Sequence, residues 1–183
     1  MNQESRKRMP EMERLINQGV PMHVRSNHAL EHATLHVLQE KGVRVPLGGI
    51  SDAGGFWIYG EITTEEIATA ASEGLRRLAE GESDLAVHPN CGTNIAVGAL
   101  SAGGLAWLAM VGTKGDVGRR FRRLPVAVLM GMLGYRLAQP LGPKVQETIT
   151  TNADVSGLKI VDVIRHEVLG YAVHRVSTRM NSR

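Results

Sequence analysis

The longest run of residues without a formal charge is Cys91–Thr113, 23 residues in all. As an α-helix this run would be roughly 35 Å long, and the hydrocarbon core of a bilayer is roughly 30 Å thick. Small residues recur on closely spaced turns at Gly98, Ala102, Gly103 and Ala106, and such residues let membrane helices approach one another. We therefore expect a membrane-crossing helix, with a buried helix of a water-soluble domain as the alternative.

A second apolar segment, Leu124–Tyr135, has 12 uncharged residues and is followed by Arg136, Pro140 and Pro143. Twelve helical residues span about 18 Å, so this segment crosses a bilayer only if Arg136 extends to the interface or packs inside the hairpin. A re-entrant or interfacial helix is the alternative. Together the two segments predict a hydrophobic membrane hairpin over residues 91–143.

The residues between the two apolar segments are strongly basic. Thr113–Arg123 contains five Lys or Arg residues and one acid, Asp116, although the net charge of the whole chain is only +3. Almost no aromatic residues accompany this stretch, so it does not indicate a nucleic-acid surface. It is typical of a loop that flanks a membrane. The expected partner is accordingly the lipid bilayer, and no nucleic acid.

Outside the hairpin the composition is that of a folded domain, because 43% of the residues are apolar and 21% are charged. Periodicity and turn residues predict the positions of the helices and strands. Helices are expected at Pro10–Gln18, from a cap at Ser26 or Asn27 to Lys41, and at Glu65–Ala79 after a cap at Thr63 or Thr64; strands are expected at Leu47–Ser51, Phe56–Ile62, Leu158–Arg165 and Gly170–Thr178, with a short strand in LAVHP.

These elements predict an α+β fold, a small sheet with packed helices, into which a helical membrane hairpin is inserted. Residues 1–90 would form a soluble α+β domain with a metal site, 91–143 the hairpin, and 144–183 the C-terminal strands that complete the soluble domain. An even number of crossings would return those strands to the side of residues 1–90. The basic residues near the N-terminus have no apolar stretch behind them, so we expect no cleaved secretory signal.

The order His28-x-x-Glu31-His32 matches the inverted zincin pattern. On a helix, two histidines four residues apart lie about 40° apart on one face and can bind one metal ion. Glu31 could then act as the general base toward a metal-bound water. The alternative is a helix whose histidines are surface residues or are hydrogen-bonded in a core. His36 lies on the same helix face. It could be a fourth ligand, a group that supports a ligand, or a surface residue, and the last two roles are favoured.

The segment HPNCGTN places His88 and Cys91 three residues apart. Histidine and cysteine at such spacing form a two-ligand loop for zinc or a similar divalent metal. Asn90, Thr93 and Asn94 would support the site, and Thr93 or Asn94 would cap the following helix. Cys91 is the single cysteine of the chain, which excludes an internal disulfide; a lone cysteine is otherwise a small buried apolar residue.

The stretches NHALEHATLHVL, GGISDAGGFWIYGE and LAVHPNCGTN resemble an uncharacterised bacterial membrane family that is defined only as a domain of unknown function. The resemblance covers most of residues 25–112. A looser similarity joins the H-x-x-E-H-x-T and HPxCGT motifs to a membrane family of predicted metal-dependent enzymes, in which the second motif also leads into a membrane helix. The resemblance implies a metal site at the corresponding positions, which are His28, Glu31, His32, His88 and Cys91. His36 lies outside the shared pattern.

Other polar features favour structural roles. The glycines that flank Ser51 and Asp52 lack the lysine of a phosphate-binding loop, so a tight hairpin is expected. Trp57 and Tyr59 are expected in the core or at a membrane interface. His166 and His174 are expected at the surface, although either could approach the metal site if the last strands close the sheet.

The leading hypothesis is a membrane-anchored metal-dependent enzyme of the hydrolase type, acting on a peptide or lipid-derived substrate near the membrane. The alternative is a non-catalytic membrane adaptor whose closed metal site only fixes the fold. Four protein ligands would favour the adaptor, and three ligands with an open position the enzyme. The expected location is the bacterial membrane. Its orientation stays open, because the basic loop favours termini outside whereas the lone thiol suits the cytoplasm.

Overall fold

The computed structural model describes residues 20–113 and 115–181. They form two compact units, one from residues 20–88 and 147–181 and the other from residues 89–146. The predicted helix Pro10–Gln18 lies outside the described residues. Across the described ranges the structure contains five α-helices and one four-stranded sheet, so the predicted α+β class is confirmed.

The sheet of the first unit is antiparallel throughout, with the order β1-β2-β4-β3. Its strands are β1 (Gly48–Asp52), β2 (Gly55–Tyr59), β3 (Leu158–Val168) and β4 (Tyr171–Met180). Ala53 and Gly54 form the two-residue turn between β1 and β2, which confirms the predicted hairpin. Phe56 pairs with Val176, so the C-terminal strands extend the N-terminal hairpin as predicted.

Two helices cover the buried face of this sheet. The first, α1 (Met22–Glu40), is buried at nearly every position from Arg25 to Leu38, and α2 (Thr64–Ala79) packs beside it. The predicted cap of α2 is confirmed: the Thr63 hydroxyl accepts from the backbone N–H of Glu66, whose carboxylate accepts from the backbone N–H of Thr63. The core contains Leu30, Leu38, Phe56, Ile58, Ile67 and Val176, all fully buried.

The predicted start of α1 is wrong, because the helix begins at Met22 and not after Ser26 or Asn27. Both residues lie inside the helix and are buried. The Ser26 hydroxyl donates to the Asp154 carbonyl at 3.1 Å, and the Asn27 amide donates to the Asp52 carbonyl at 2.8 Å. Their polar groups therefore bond to distant segments and do not cap a helix.

The predicted strand in LAVHP is also wrong. Ser83–Ala86 forms a 3-10 turn, and within the described residues the segment up to His88 joins no strand of the sheet. Local hydrogen bonds determine the conformation of this short β-forming run, since the backbone N–H of Leu85 donates to the Glu82 carbonyl and that of Val87 to the Asp84 carbonyl. This turn brings the backbone carbonyls of Ala86 and Val87 to the histidines of α1.

His174 lies in the core, although the sequence predicted a surface position. It stands on β4 opposite Ile58 and is fully buried, and neither ring nitrogen has a hydrogen-bond partner among the described residues. Burial lowers the pKa of His174, and the nearby Arg165 guanidinium lowers it further. The neutral ring is therefore the form that the folded protein favours.

Replacing this ring with an apolar side chain of similar size should stabilise the fold. We expect His174→Leu to raise the free energy of unfolding by about 1–3 kcal/mol, because two unsatisfied buried nitrogens are removed. The wild type should lose stability as the pH falls below about 6.5, where the unfolded state binds a proton that folded His174 excludes. That loss should be smaller in the variant. Thermal unfolding at pH 7 and pH 5 measures both effects. His166→Leu, at an exposed position of β3 where the ring lies 5.4 Å from that of Trp57, is the control and should change both effects much less.

The second unit consists of three helices: α3 (Gly92–Met110), α4 (Val117–Ala138) and the short α5 (Leu141–Val145). The first two form an antiparallel hairpin that packs through glycines. A Cβ atom at Gly134 would lie 2.5 Å from the Ser101 carbonyl oxygen, and one at Gly98 would lie 2.8 Å from the Tyr135 ring. Of the small residues noted in the sequence, Gly98 and Ala102 therefore lie where the two helices approach closely, whereas nothing lies within 4 Å of a Cβ at Gly103.

The second helix of this hairpin is longer than the predicted segment Leu124–Tyr135. It begins at Val117, where the Asp116 carboxylate accepts from the backbone N–H of Arg119 at 2.8 Å. The helix therefore includes the basic residues that the sequence assigned to a loop. Of the helices in residues 20–113 and 115–181, α3 has the length and apolar composition that suit a membrane crossing.

Candidate metal centre

Helix α1 brings two histidine side chains together on one face. His32 is fully buried and His28 half-buried, and their ring centroids lie 4.3 Å apart. One ring nitrogen of His28 and one of His32 lie within 4.8 Å of each other. The four-residue spacing therefore produces the paired imidazoles that the sequence predicted.

Backbone carbonyls orient both rings. Nδ1 of His28 lies 2.9 Å from the Thr150 carbonyl oxygen, and Nδ1 of His32 lies 2.7 Å from that of Ala86. Since a carbonyl oxygen only accepts, Nδ1 carries the proton in each neutral ring and Nε2 carries the lone pair. A proton on one nitrogen bonded to a carbonyl, with the other nitrogen basic, is the usual arrangement of metal-ligating histidines.

His88 and His36 continue this cluster within the same unit. The His88 ring is buried, 5.7 Å from that of His32 and 4.8 Å from that of His36. The Gln39 amide nitrogen lies 3.2 Å from Nε2 of His88, and Nε2 of His36 donates to the Val87 carbonyl at 2.8 Å. His36 is therefore a half-buried neighbour of His88 and not a plain surface residue.

Burial, together with the neighbouring His36 and His32, lowers the pKa of His88 to about 4. His88 is consequently neutral at pH 7. A neutral imidazole is the form that binds a metal ion, so no proton has to be displaced from this ring before binding. His88 is thus chemically suited to the predicted role of ligand.

Glu31 is buried on α1 beside this cluster and faces β1. Its carboxylate accepts from the Ser51 hydroxyl at 2.5 Å. Burial raises the pKa of Glu31, whereas the Ser51 hydrogen bond and the nearby His28 act in the opposite direction. A raised pKa is a shift in the direction that suits a carboxyl group acting as a general base or acid.

The absence of a side chain at Gly49 makes room for this carboxylate. A Cβ atom there would lie 2.6 Å from Cδ of Glu31 and 2.8 Å from its Cγ. We expect Gly49→Ala to displace Glu31 from Ser51 and to lower the free energy of unfolding by about 1–3 kcal/mol. Gly48→Ala is the matched control, since nothing lies within 4 Å of a Cβ at that position.

A double-mutant cycle isolates this contact. In a Glu31→Ala background the clash is gone, so Gly49→Ala should then cost little. Thermal unfolding of the wild type, the two single variants and the double variant gives the coupling free energy between Gly49 and Glu31. An equal cost of Gly49→Ala in both backgrounds would show that the glycine serves another purpose.

The remaining predicted site residues belong to the second unit. Cys91 is buried and is the N-cap of α3, where its Sγ accepts from the backbone N–H of Thr93. The predicted cap at Thr93 or Asn94 is therefore wrong. The Asn94 amide donates to the Pro89 carbonyl at 2.7 Å, and its oxygen accepts from Gln146 at 2.6 Å. Asn90 is exposed.

Sequence reasoning missed the groups that position the histidines. The carbonyls of Ala86, Val87 and Thr150 have no residue-specific signal, because any residue supplies a backbone carbonyl. Ser51 and Gly49 left a weak signal, since both belong to the glycine-rich hairpin.

The fold and this cluster define a mixed α+β protein with buried histidines and an apolar helical hairpin. The chain belongs to the family described as a domain of unknown function, DUF6391, whose model matches residues 23–163. An uncharacterized protein of Picosynechococcus sp. is 36% identical over 146 residues, which cover 70% of this chain. The chain spans 65% of the length of that relative. No solved structure matches the chain. The expected membership of a family of unknown function is thereby confirmed.

Proposed function

We propose that this protein is a membrane-anchored, metal-dependent enzyme of the hydrolase type. The proposal rests on one observation above all: two adjacent imidazoles on α1 are oriented through Nδ1 by backbone carbonyls. Orienting the two rings in this way gives one nitrogen of each a hydrogen-bond partner and leaves the basic nitrogen of each to bind a metal ion. The H-x-x-E-H motif and the similarity to predicted metal-dependent membrane enzymes support the same chemistry.

The proposed ligands are His28 and His32, completed by His88 or Cys91. Cys91 follows His88 by three residues, a stretch of chain that reaches at most roughly 11 Å. Neutral imidazole and thiolate are the donors that zinc prefers, so zinc is the proposed metal. Asn90, Thr93 and Asn94, at the start of α3, are proposed to support the loop that presents these ligands.

Glu31 is the proposed catalytic residue. When bound, a divalent ion would lower the pKa of a coordinated water and polarise a substrate oxygen. The Glu31 carboxylate would hold and return the proton, and its hydrogen bond to Ser51 fixes the carboxylate for that task. The substrate class that suits a membrane-anchored site is a peptide or a lipid-derived molecule.

The exposed apolar surface of the second unit supports membrane anchoring. Its helices expose large apolar side chains around their circumference, such as Leu100 (77% exposed), Trp107 (68%) and Leu129 (65%). Water-soluble proteins rarely expose an apolar surface of that extent. A core helix of a soluble domain would be mostly buried, whereas α3 contains a single buried residue, Gly98.

The second candidate is a non-catalytic membrane adaptor with a structural metal site. It is favoured by the short hydrogen bond between Glu31 and Ser51, which ties the carboxylate to β1. In that case Glu31 would help to orient the helix that supplies the ligands, and four protein donors would close the coordination sphere.

Cobalt substitution distinguishes the two candidates. We expect the detergent-purified protein to bind one equivalent of Co²⁺ and to show a visible spectrum that Glu31→Gln preserves. A small hydroxamate should change the spectrum of an enzyme, because it enters the open coordination position. It should leave a closed structural site unchanged. Loss of the thiolate-to-cobalt absorption in Cys91→Ser would identify Cys91 as a ligand.

Failure of Co²⁺ and Zn²⁺ to bind the wild type would contradict both candidates. If the metal binds but hydroxamate has no effect, the enzyme proposal is wrong and the adaptor remains. For an enzyme, a screen with fluorogenic peptides and esters should find hydrolysis that Glu31→Gln reduces by about 10²–10⁴-fold.

A further inference from the structure

Four arginines lie on the first two turns of α4, and we call them the arginine tip: Arg119, Arg120, Arg122 and Arg123. All four are exposed. In the residues Thr113–Arg123 the acid is Asp116, which forms an ion pair with Arg119 at 3.3 Å. The end of the helical hairpin therefore has a concentrated positive charge.

Three of these arginines donate to backbone carbonyls just after the end of α3, and Nη1 of Arg119 donates to the Gly112 carbonyl at 3.4 Å. Nε of Arg120 donates to the Thr113 carbonyl at 3.3 Å, and Nη1 of Arg123 donates to the Val111 carbonyl at 2.7 Å. Val111 is the C-cap of α3, so the Arg123 bond gives a partner to a carbonyl at the helix end, where positive charge is favourable. Because each bond uses one nitrogen, the other N–H groups of the Arg120 and Arg123 guanidinium groups remain as donors. The charges are thus fixed at the tip.

Arg122 differs from its neighbours, since it makes no hydrogen bond or ion pair within the described parts of the chain. Beside it, Val117 and Phe121 expose apolar side chains, and Phe121 is 69% exposed. Arginine together with an exposed aromatic ring is typical of protein segments at the boundary between headgroups and acyl chains.

We propose that the arginine tip binds the phosphate groups of anionic phospholipids, with Val117 and Phe121 in contact with the upper part of the acyl chains. The planar guanidinium group matches a phosphate through paired hydrogen bonds. In addition, the negative potential of an acidic membrane surface attracts basic residues. The proposal rests on the membrane placement of the hairpin, and it adds the class of lipid that the hairpin selects.

The fluorescence of Trp107 reports on the lipids near the arginine tip, because this side chain is exposed and lies one turn before the end of α3 at Met110. The full chain with Trp57→Phe, which leaves Trp107 as its single tryptophan, is reconstituted in phosphatidylcholine vesicles. A fixed fraction of either brominated phosphatidylglycerol or brominated phosphatidylcholine is included. Brominated lipid quenches a tryptophan that it contacts, so the ratio of the two quenching curves gives the preference for the anionic lipid.

We expect phosphatidylglycerol to quench Trp107 more strongly than phosphatidylcholine, and added salt to reduce the difference. Arg122→Gln should lower the preference by about two- to fivefold without changing the unfolding temperature. Lys159→Gln removes the same charge from an exposed position of β3 and should leave the preference unchanged.

Equal quenching by the two lipids, or equal effects of Arg122→Gln and Lys159→Gln, would overturn the proposal while leaving the membrane placement intact. Soluble glycerol phosphate that abolishes the preference at millimolar concentration would show a site for small phosphate esters, and this too overturns it. No quenching by either lipid would refute the membrane placement and the lipid site together.

Discussion

His32→Ala is expected to abolish binding of the proposed metal ion by the detergent-purified protein. His32 is 1% exposed, and its Nδ1 is committed to the Ala86 carbonyl, so its Nε2 is the nitrogen left for the ion. Loss of a partner that merely orients a ligand weakens metal binding by about 10–100-fold, and loss of a ligand should cost at least as much. Metal content measured by mass spectrometry should fall from about one equivalent per chain to near zero.

His36→Ala is the matched control for this prediction. It removes an imidazole that also donates to a carbonyl of the same turn, at 2.8 Å from Val87, and it lies outside the proposed ligand set. The control should keep its metal. A chelator should lower the unfolding temperature of the wild type and of His36→Ala, and should have no effect on His32→Ala. Equal metal content in the wild type, His32→Ala and His36→Ala would contradict the assignment of His32 as a ligand.

Gly134→Val should separate the two long helices of the hairpin. A Cβ atom at this position would lie 2.5 Å from the Ser101 carbonyl oxygen and 2.9 Å from the carbonyl carbon. Both atoms belong to the backbone, so the clash is relieved only if α3 and α4 move apart. Overpacking of this kind costs about 1–3 kcal/mol or more. Helices in lipid associate in part through van der Waals packing, because apolar burial contributes little there, and small residues such as glycine permit the close approach that this packing requires.

Gly103→Val tests whether the effect comes from packing or from the change of residue type. Nothing lies within 4 Å of a Cβ at Gly103, which is on α3 and exposed. Thermal unfolding in detergent should show a large decrease for Gly134→Val and little change for Gly103→Val. Similar unfolding temperatures for the two variants would contradict the close packing of α3 against α4 at this glycine.

Several features of this protein follow from local sequence signals. The tight hairpin of β1 and β2, a cap at Thr63 or Thr64 and the placement of His28 and His32 on one helix face were all predicted. Each depends on residues within a few positions of one another, where turn chemistry, capping and the helical repeat decide the outcome. The uncharged run after Cys91 likewise determined a long apolar helix.

Other features of this protein were decided by the tertiary structure, because they depend on partners that are far away in the chain. His28 bonds to a carbonyl 122 residues away, and His32 to one 54 residues away. Ser26 and Asn27 resemble caps in the sequence, yet they lie inside α1 because Asp154 and Asp52 supply their partners. His174 is buried because the last strand joins the middle of the sheet.

The sequence by itself thus determined which side chains could bind a metal, because four-residue spacing on a helix is a local property. Only the tertiary structure decided which nitrogen of each ring is available, since the backbone carbonyls that fix the tautomer are supplied by distant segments of any residue type.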